Sequence, residues 1–448
     1  MSVVDVTRPV AAPAQRLQIF RFDTVPMRAF HLSWLAFFLC FFSWFGLAPL
    51  MPVIREELGL TKQQVGWCII GSVSMTVVFR ILVGWLCDRF GPRLTYTWLL
   101  VLGAIPVMAV GLATDFATFL IGRILIGAIG ASFVVTQYHT SRMFASSCVG
   151  TANATAAGWG NLGGGVTQLG MPLLFALITG TGISAAAGWR LCMVCAGVVC
   201  AFTGVLYWWL TQDTPEGNFA DLRRAGLLPS AGKKSTLMAA ARDLRVWALA
   251  ILYACCFGLE LTIDNVAVLY FTDYFQMDMY SAGSIAAGFG MMNLFARALG
   301  GLVSDRWAKA TGLTGRAQWL LLTILGEGLM LLIFSQTKQI GPAVAMLLLV
   351  GLFVKMSNGA VYAIVPFINR PALGSVAGLV GAGGNIGAVA AGFLFQSMIP
   401  WPTAFWLLGL VVLSCASFAL LTASSAAEVA DHLTSPAFPP QNLTIEST

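Results

Sequence analysis

The feature that most constrains this chain is a series of apolar runs, separated by short charged or Gly/Pro-containing segments. An α-helix takes about 20 residues to cross the hydrocarbon core of a bilayer, and each run is close to that length or longer. The sequence therefore predicts an all-α polytopic membrane protein with 12 transmembrane helices, embedded in the lipid bilayer. The runs fall at residues 30–52, 65–87, 94–113, 116–138, 150–178, 189–210, 246–271, 282–304, 317–336, 342–368, 373–398 and 401–424.

The composition excludes several other classes of protein. Charged residues make up 10% of the 448 residues and apolar residues 58%, whereas a soluble domain carries roughly 25% charged residues. The histidines His31, His139 and His432 lie far apart, so we expect no histidine-based metal or catalytic centre. The ten cysteines lie mostly inside apolar runs and are interpreted as small core residues. The net charge of +6 is spread over loops and gives no indication of nucleic-acid binding; no cofactor is expected.

The distribution of basic residues predicts the orientation of the chain, because cytoplasmic loops are enriched in Lys and Arg. Of the 25 Lys and Arg, 17 lie in segments that are inside if both termini are cytoplasmic, 4 lie in the opposite loops and 4 lie within the runs. We therefore expect a multi-pass protein of the cell membrane with a cytoplasmic tail at 1–29 and another at 425–448. The polar linker 211–245 divides the runs into an N-terminal bundle at 30–210 and a C-terminal bundle at 246–424.

An internal repeat supports this division into two pseudo-symmetric six-helix bundles. In the second and eighth runs, an arginine is followed by Gly at +4, Asp at +8 and Arg at +9. The fifth and eleventh runs share a Gly-Asn-x-Gly pattern. The two matched asparagines are farther apart in sequence than the two matched arginines, which fits a longer loop at Lys309 to Gly315. The matched residues are Arg80, Gly84, Asp88 and Arg89 with Arg297, Gly301, Asp305 and Arg306, and Gly160 and Asn161 with Gly384 and Asn385.

The repeated arginines predict an anion site. Asp88 marks the end of its helix, so Arg80 lies roughly 12 Å inside the membrane at 1.5 Å per residue, and Arg297 lies equally deep in the other bundle. Two facing arginines repel each other unless an anion lies between them, and the guanidinium fork suits a small planar oxyanion. The alternative is that each arginine extends along its helix to the membrane surface.

The Gly-Asn runs would flank this site. Glycines such as Gly160 and Gly384 remove side chains from a helix turn, so that a substrate or another helix can approach the backbone. Asn161 and Asn385 add an amide that must find a partner when it is buried. Close helix packing alone is the alternative explanation for the glycines.

Several of these segments resemble the signatures of a known family. The segment Gly84 to Arg93, GWLCDRFGPR, is similar to the loop 2/3 signature of the major facilitator superfamily. Arg123 and Gly127 resemble its fourth-span motif. The runs GWGNLGGG and GAGGNIGA, together with the two buried arginines, resemble the nitrate signatures of the superfamily's nitrate/nitrite porters, the NarK-type and NRT-type transporters.

The resemblance implies a rocker-switch transporter of nitrate, and of nitrite, that is monomeric and not an enzyme. Arg80 and Arg297 would clamp the anion, with Asn161, Asn385 and the glycines Gly160 and Gly384 in or beside the binding layer. Aromatic rings sandwich the anion in NarK-type porters, and the matching positions here are Phe133, Tyr253 and Phe257; ordinary bundle core is the alternative for each.

The resemblance also implies a cytoplasmic gate. Asp88 with Arg89, and Asp305 with Arg306, would form pairs that break when the bundles rock. Arg123 is expected to be structural or related to coupling, and not to bind substrate.

The acidic residues within the runs bear on energy coupling. Glu260 and Asp264 lie one helical turn apart in the seventh run, and a charged residue at such depth indicates function. Glu260 is the leading proton-accepting candidate; the alternative is a buried structural pair with Lys355. The roles of Lys355 and of Glu327 in the ninth run stay open.

Two coupling mechanisms are compatible with these residues. The acidic residues and the runs FFSWFGLAPLMP and YAIVPF resemble assimilatory uptake porters and favour proton-coupled nitrate uptake. Nitrate/nitrite exchange, or transport of another small anion on the same scaffold, are the alternatives.

Overall fold

The computed structural model describes residues 12–228, 236–277, 279–396 and 399–423. The predicted C-terminal tail at 425–448 lies outside these residues. Within the described part of the chain the secondary structure is helical, apart from two isolated β-bridges.

The α-helices coincide with the apolar runs and add short segments between them. In chain order they are α1 (Val25–Phe45), α2 (Met51–Leu58), α3 (Lys62–Phe90), α4 (Pro92–Ala109), α5 (Phe116–Ile126), α6 (Ser132–Met143), α7 (Val149–Thr179), α8 (Ala185–Leu210), α9 (Phe219–Arg224), α10 (Thr236–Ala241), α11 (Leu244–Asp273), α12 (Met279–Met291), α13 (Ala296–Ser335), α14 (Ile340–Ile368), α15 (Leu373–Gln396) and α16 (Trp401–Cys415). Short 3₁₀ segments lie at Val110–Leu112, Gly127–Ala131, Met292–Leu294, Arg370–Ala372 and Ala416–Thr422.

Apolar length identifies most of these helices as membrane spans. Among the described residues, nine helical stretches are long and apolar enough to cross a bilayer, or ten when the bent α7 is counted as one span. One of the nine, Ser284–Ser335, is 52 residues long, more than twice what a single crossing requires. It contains the eighth and ninth predicted spans together.

The eighth and ninth spans meet at a single residue, Gly312. Its φ of 63° and ψ of −139° break the helical path inside α13. The Trp319 side chain donates a hydrogen bond of 2.9 Å to the Gly300 carbonyl oxygen, although 19 residues of straight helix would separate them by about 28 Å. The two limbs of α13 therefore run antiparallel. The longer loop predicted at 309–315 is wrong, because helical structure continues up to both sides of Gly312.

Other helix ends follow local sequence signals. Thr61 and Gln64 form a capping box at the start of α3, and Asp115 and Thr118 form one at the start of α5. Between α3 and α4, Gly91 has a φ of 88°, and a Cβ there would lie 2.5 Å from the Asp213 carboxyl group. Glycine thus satisfies both the backbone conformation and the close packing at this turn.

The two repeats meet along several helix pairs, among them α3 with α15 and α13 with α7. In the first pair, a Cβ on Gly84 would collide with the Gly374 carbonyl oxygen. In the second, a Cβ on Gly301 would collide with the Gly150 carbonyl oxygen. Gly301 is the repeat equivalent of Gly84, and Gly374 is related to Gly150 by the same shift that relates the two asparagines of the Gly-Asn runs. The repeat found in the sequence therefore recurs in the packing of the helices.

Asp88 joins the first repeat to the start of α15 in the second repeat. Its carboxylate accepts hydrogen bonds of 2.8 Å from the backbone N–H groups of Gly374 and Ser375, and one of 2.7 Å from the Ser375 hydroxyl. The first N–H groups of a helix have no partner within the helix and carry partial positive charge. The carboxylate therefore caps a helix of the opposite repeat.

Asp305 makes the matching contact in the other direction. It accepts hydrogen bonds from the backbone N–H groups of Gly150 and Thr151, at 3.1 and 2.6 Å, where α7 begins. It also forms a buried ion pair of 2.7 Å with Arg316. The two aspartates thus hold the repeats together at one end of the bundles, here named the closed end, which the charge distribution predicts to be cytoplasmic.

The neighbouring arginines do not take part in these contacts. Arg89 and Arg306 are exposed, and Arg89 lies over the rings of Trp85 and Phe90, at 5.3 and 5.5 Å from their centroids. Arg89 and Arg306, the predicted partners of Asp88 and Asp305, are therefore not the groups that these aspartates bind. The carboxylates bind backbone N–H groups across the interface instead.

We expect Gly312→Ala to lower the apparent unfolding temperature of the purified protein, because a side chain at this φ and ψ is strained by about 1–3 kcal/mol. Gly341→Ala is the matched control, since Gly341 lies within α14 with no atom within 4 Å of the new Cβ, and Ala favours a helix over Gly. Equal stability of the Gly312→Ala and Gly341→Ala variants would contradict the turn described here.

We expect Asp305→Asn and Asp88→Asn to reduce the population of the closed end by about tenfold or more, since hydrogen bonds to a charged group contribute about 1.5–3 kcal/mol each. The loss is larger for Asp305, which also leaves Arg316 buried without its carboxylate. Fluorophores introduced through unnatural amino acids at the exposed residues Arg224 and Lys309 would report the closed end by energy transfer.

Arg306→Ala is the control for this measurement, because Arg306 is exposed and lies beside Asp305 without pairing with it. Equal transfer distributions in the two Asp→Asn variants and in this control would show that the aspartates do not hold the end closed.

Candidate anion-binding site

Arg80 lies fully buried between the two repeats. Its Nη1 donates a 2.7 Å hydrogen bond to the Gly381 carbonyl oxygen in α15. With the amide of Asn385 oriented so that its oxygen faces the arginine, that oxygen accepts from Nη1 and Nε of Arg80, both at 3.2 Å. Nη2 has no hydrogen-bond partner among the described residues, and no carboxylate of this part of the chain forms an ion pair with Arg80. The guanidinium is thus a buried charge, and its Nη2 group remains available to donate hydrogen bonds.

Three aromatic rings lie beside this guanidinium, at the positions singled out in the sequence. The Phe133 ring is within 11° of parallel to the rings of Tyr253 and Phe257, with centroids 5.9 and 6.3 Å away. The Cζ atom of Arg80 lies 5.1 Å from the Phe133 centroid and 5.2 Å from the Phe257 centroid. Phe133 belongs to the first repeat and the other two rings belong to α11. A flat group between these rings would lie within reach of Arg80.

Gly384 makes room for the aromatic rings. A Cβ at this position would lie 2.7 Å from ring atoms of both Tyr253 and Phe257. The glycine of the eleventh run therefore allows α15 to pack directly against the rings, while Asn385 beside it contacts Arg80.

The matching run in α7 is placed differently. Asn161 is half-buried, and its amide donates a 2.8 Å hydrogen bond to the Ala157 carbonyl oxygen of its own helix. A Cβ on Gly160 would collide with the Phe37 ring of α1. Among the described contacts, none brings Asn161 or Gly160 to either buried arginine. The repeat thus places Asn385 and Gly384 at the site, but not Asn161 and Gly160.

Arg297 lies near the same Phe257 ring as Arg80. It is 1% exposed, and its Cζ is 5.5 Å from the Phe257 centroid. Its Nη2 donates a 2.6 Å hydrogen bond to Glu260 Oε2, and its Nε donates one of 2.8 Å to Asn293 Oδ1. Arg297 is therefore paired within its own repeat. The expectation that two uncompensated arginines face each other is wrong for Arg297, because this arginine already has a carboxylate partner.

Glu260 receives two further partners besides Arg297 and Asn293. Lys355 Nζ lies 3.0 Å from Oε1, and Asn358 Nδ2 donates a 2.6 Å hydrogen bond to Oε2. Asn293 Nδ2 donates to Oε1 at 2.8 Å. The contact with Lys355 is the structural pair that the sequence left open as an alternative. Since two cations and two amides surround this buried carboxyl group, its ionised form is stabilised.

The charges of the site do not cancel. Arg80, Arg297 and Lys355 contribute three positive charges and Glu260 contributes one negative charge, all from side chains at most 2% exposed. Taking buried charges out of water is unfavourable unless they are compensated. The site as a whole therefore favours an anion.

Three further charged residues that the sequence places within the spans are Asp264, Arg123 and Glu327. Asp264 is exposed and within electrostatic range of Lys355 and Glu260. Arg123 donates a 3.2 Å hydrogen bond to the Trp44 carbonyl oxygen, a contact that links α5 to α1. Glu327 is fully buried in α13.

Three residues of the site were not predicted from the sequence. Tyr362 packs edge-on against Phe133 and Tyr253, with centroids 4.7 and 5.0 Å away. Asn293 and Asn358 hold Glu260. Helical spacing contains a signal for each, since Asn293 lies four residues before Arg297 and Asn358 lies three after Lys355 and four before Tyr362.

Comparison with known proteins agrees with this architecture. Residues 33–365 match the family model described as Major Facilitator Superfamily. The chain resembles the proton:xylose symporter XylE with a TM-score of 0.68 at 13% identity, covering 88% of this chain and 95% of that one. It resembles FucP in the outward conformation with a TM-score of 0.66 at 16% identity, covering 90% and 100%. At this identity the solved structures show the fold alone.

Relatives of higher sequence identity indicate which branch of the major facilitator superfamily the chain belongs to. The chain is 38% identical to high affinity nitrate transporter 2.5 of Arabidopsis thaliana over 406 residues, which cover 90% of this chain and 80% of the relative. It is 38% identical to nitrate transporter 2.1 of Chlamydomonas reinhardtii over 388 residues, covering 86% and 71%. It is 30% identical to the nitrate/nitrite transporter NrtP of Nostoc punctiforme over 462 residues, covering 87% and 90%. The chain is therefore a multi-pass membrane protein that belongs to the nitrate/nitrite porter family of the major facilitator superfamily.

Proposed function

We propose that this protein transports nitrate, and also nitrite, across the cell membrane by alternating access. The observation that carries the proposal is the buried Arg80, which has no carboxylate partner among the described residues and lies beside nearly parallel aromatic rings. The names of the relatives, which are nitrate and nitrate/nitrite transporters, agree with it.

The shape of the site suits a flat oxyanion. Nitrate and nitrite are planar, so their faces can lie against aromatic rings while their oxygens accept hydrogen bonds in the ring plane. The guanidinium of Arg80 presents planar N–H groups that match such oxygens. Tetrahedral anions such as phosphate present no flat face to Phe133 and Phe257. The ring geometry therefore favours the planar anions.

Binding of the anion would change the pairing of Arg297. Arg297 is held by Glu260, yet its guanidinium lies near the same Phe257 ring as that of Arg80. An anion at this ring competes with Glu260 for Arg297. Because Lys355 also contacts Glu260, the carboxylate keeps one cation when Arg297 turns to the substrate.

This competition gives a physical basis for proton coupling. Loss of Arg297 removes one of the two cations that favour the ionised form of Glu260, so proton uptake by Glu260 becomes more favourable when the anion is bound. Asp264, exposed one turn away, is placed to exchange protons with solvent. Proton-coupled nitrate uptake for assimilation is therefore the mechanism we propose.

The transport cycle then links the site to the aspartate contacts. With both termini in the cytoplasm, the contacts of Asp88 and Asp305 close the inner side of the path while the anion enters from outside. Separation of α3 from α15, and of α13 from α7, opens that side and releases the anion. The two repeats would move as halves, and one chain contains the whole site, so a monomer suffices.

Nitrate/nitrite exchange is the alternative mechanism. It is favoured by the uncompensated charge of Arg80, since an empty carrier would have to reorient with that charge buried. In exchange, the outgoing nitrite would neutralise it.

We expect Arg80→Lys and Arg297→Lys each to reduce nitrate uptake to near background, because an ammonium group cannot reproduce the planar donor fork. Uptake of labelled nitrate into proteoliposomes with the purified variants measures this. Arg306→Lys is the matched control, an exposed arginine nine residues after Arg297. Normal uptake by the Arg80→Lys variant would refute the anion site.

Competition measurements in the same vesicles test the anion. Nitrite should inhibit nitrate uptake, whereas phosphate at the same concentration should not. Equal inhibition by phosphate would support the alternative of another small anion.

We expect Glu260→Gln to lower the number of protons that enter with each nitrate while leaving nitrate counterflow measurable, because Gln cannot bind a proton. A pH-sensitive dye inside vesicles that contain no nitrite records the proton movement. Glu56→Gln, which changes an exposed carboxylate on α2, is the control. If the wild-type protein moves no protons under these conditions, but takes up nitrate rapidly once nitrite is loaded inside, exchange replaces symport.

A further inference from the structure

A second buried carboxyl group, that of Glu327, lies behind the anion site in the second repeat. Its side chain is 0% exposed. Among the described residues, neither of its oxygens has a cation or an N–H donor beside it. The polar group that faces it is the hydroxyl of Ser357 in α14, which is itself fully buried. The transport cycle outlined above does not use this carboxyl group.

Helix packing seals Glu327 from solvent on two sides. Its neighbours in sequence are both glycines, and a Cβ on Gly326 would collide with the Phe353 ring of α14. A Cβ on Gly328 would lie 2.7 Å from the Leu413 side chain of α16. The Gly-Glu-Gly sequence thus brings α13 close to both helices around a single ionisable group.

The groups that face Glu327 from the adjacent helices do not compensate a negative charge. Helix α11 presents the thiols of Cys255 and Cys256 and, within electrostatic range, the carboxylate of Glu260. Helix α14 presents Ser357, and the Leu413 side chain of α16 is apolar. An ionised carboxylate in such surroundings is strongly disfavoured, so the carboxylic acid is the form that fits.

Glu260 and Glu327 therefore occupy opposite environments. Glu260 has two cations and two amides around it, whereas Glu327 has a hydroxyl and two thiols. When two carboxyl groups of one site are placed in such different surroundings, one is kept ionised and the other is kept as an acid that can release a proton.

One helix contacts both carboxyl groups. Lys355 and Asn358 of α14 hold Glu260, while Ser357 between them faces Glu327. A shift of α14 against α11 or α13 would alter both environments together. The hydroxyl of Ser357 can both accept and donate a hydrogen bond, so it can pass a proton to or from Glu327.

We propose that Glu327 is a proton-binding residue of the transport cycle, neutral in the closed arrangement described here and deprotonated when the second repeat repacks and water reaches it. A proton from water outside forms the O–H bond on a Glu327 oxygen, and the same bond breaks to water on the cytoplasmic side. No other reactant is needed. The proposal rests on the proton coupling proposed above.

The test compares Glu327→Gln with the wild-type protein in proteoliposomes. Gln mimics the neutral acid, so nitrate counterflow should stay within about twofold of wild type. Uptake driven by a pH gradient should lose its pH dependence, and fewer protons should enter per nitrate. Glu327→Asp should recover part of the pH dependence. Thr323→Val, which removes a buried hydroxyl one turn earlier in α13, should change none of these.

Infrared difference spectra give a readout that does not depend on transport. The C=O stretch of a buried protonated carboxyl group should be present in the wild-type protein at neutral pH and lost in the Glu327→Gln variant. If the Glu327→Gln protein is not folded, Ser357→Ala replaces it, with a shifted pH profile of uptake and unchanged counterflow as the expected result.

The outcomes separate the two proposals. Wild-type nitrate transport without proton movement overturns proton coupling and, with it, the role of Glu327. The Glu327 proposal alone is overturned if the wild-type protein is proton-coupled and the Glu327→Gln variant keeps the wild-type pH profile, proton-to-nitrate ratio and infrared band. Where the Ser357→Ala variant is used instead, an unchanged pH profile of uptake overturns it.

Discussion

The sharing of one buried carboxylate by two cations is the interaction on which the rest of the site depends. Glu260 is the carboxylate partner of both Arg297 and Lys355, and buried cations are unfavourable unless they are compensated. It offsets one of the three positive charges of the site, so that the remaining charge still attracts an anion. Asn293 and Asn358 complete the coordination of the carboxylate. In the proposed cycle, the substrate competes with Glu260 for Arg297 inside this network.

The two repeats are similar in how their helices pack but differ in their buried charged side chains. Glycine contacts between helices recur at matched positions of the repeat, and each aspartate caps a helix of the opposite repeat. The buried acids Glu260 and Glu327 and the buried Lys355, in contrast, belong to the second repeat. In the first repeat, α1, α4, α5, α6, α7 and α8 contain no acidic residue, and Asp88 lies at the end of α3. Arg80 consequently finds amide and carbonyl partners across the interface, whereas Arg297 finds a carboxylate nearby. The repeat thus gives the two arginines matching positions, whereas the residues that are not repeated give them different hydrogen-bond partners.

The sequence predicts the position of a residue along a helix better than the direction in which its side chain points around the helix. Hydropathy, the repeat and the family resemblance placed Arg80, Arg297, Asn385 and the three aromatic rings near one another, because these depend on length and register. The amide of Asn161 contacts its own helix in this structure and not a buried arginine, because a matched position in a repeat need not face the same neighbour and successive residues on a helix differ by about 100°. Most partners of Asp88 and Asp305 across the interface could not be predicted from residue identity, because they are backbone N–H groups. Gly312 was missed for a related reason, since one glycine at positive φ can reverse a chain that otherwise has helical composition.

The use of backbone N–H groups as partners has a consequence for how the closed end tolerates sequence change. Every residue except proline supplies the same N–H group at positions 150, 151, 374 and 375, so most substitutions there remove at most the additional hydroxyl donors of Thr151 and Ser375. The carboxylate acceptors, in contrast, come from Asp88 and Asp305 alone. The closed end is therefore more sensitive to substitution of the two aspartates than to substitution of the residues at the helix starts, where the size of the side chain is the chief limit.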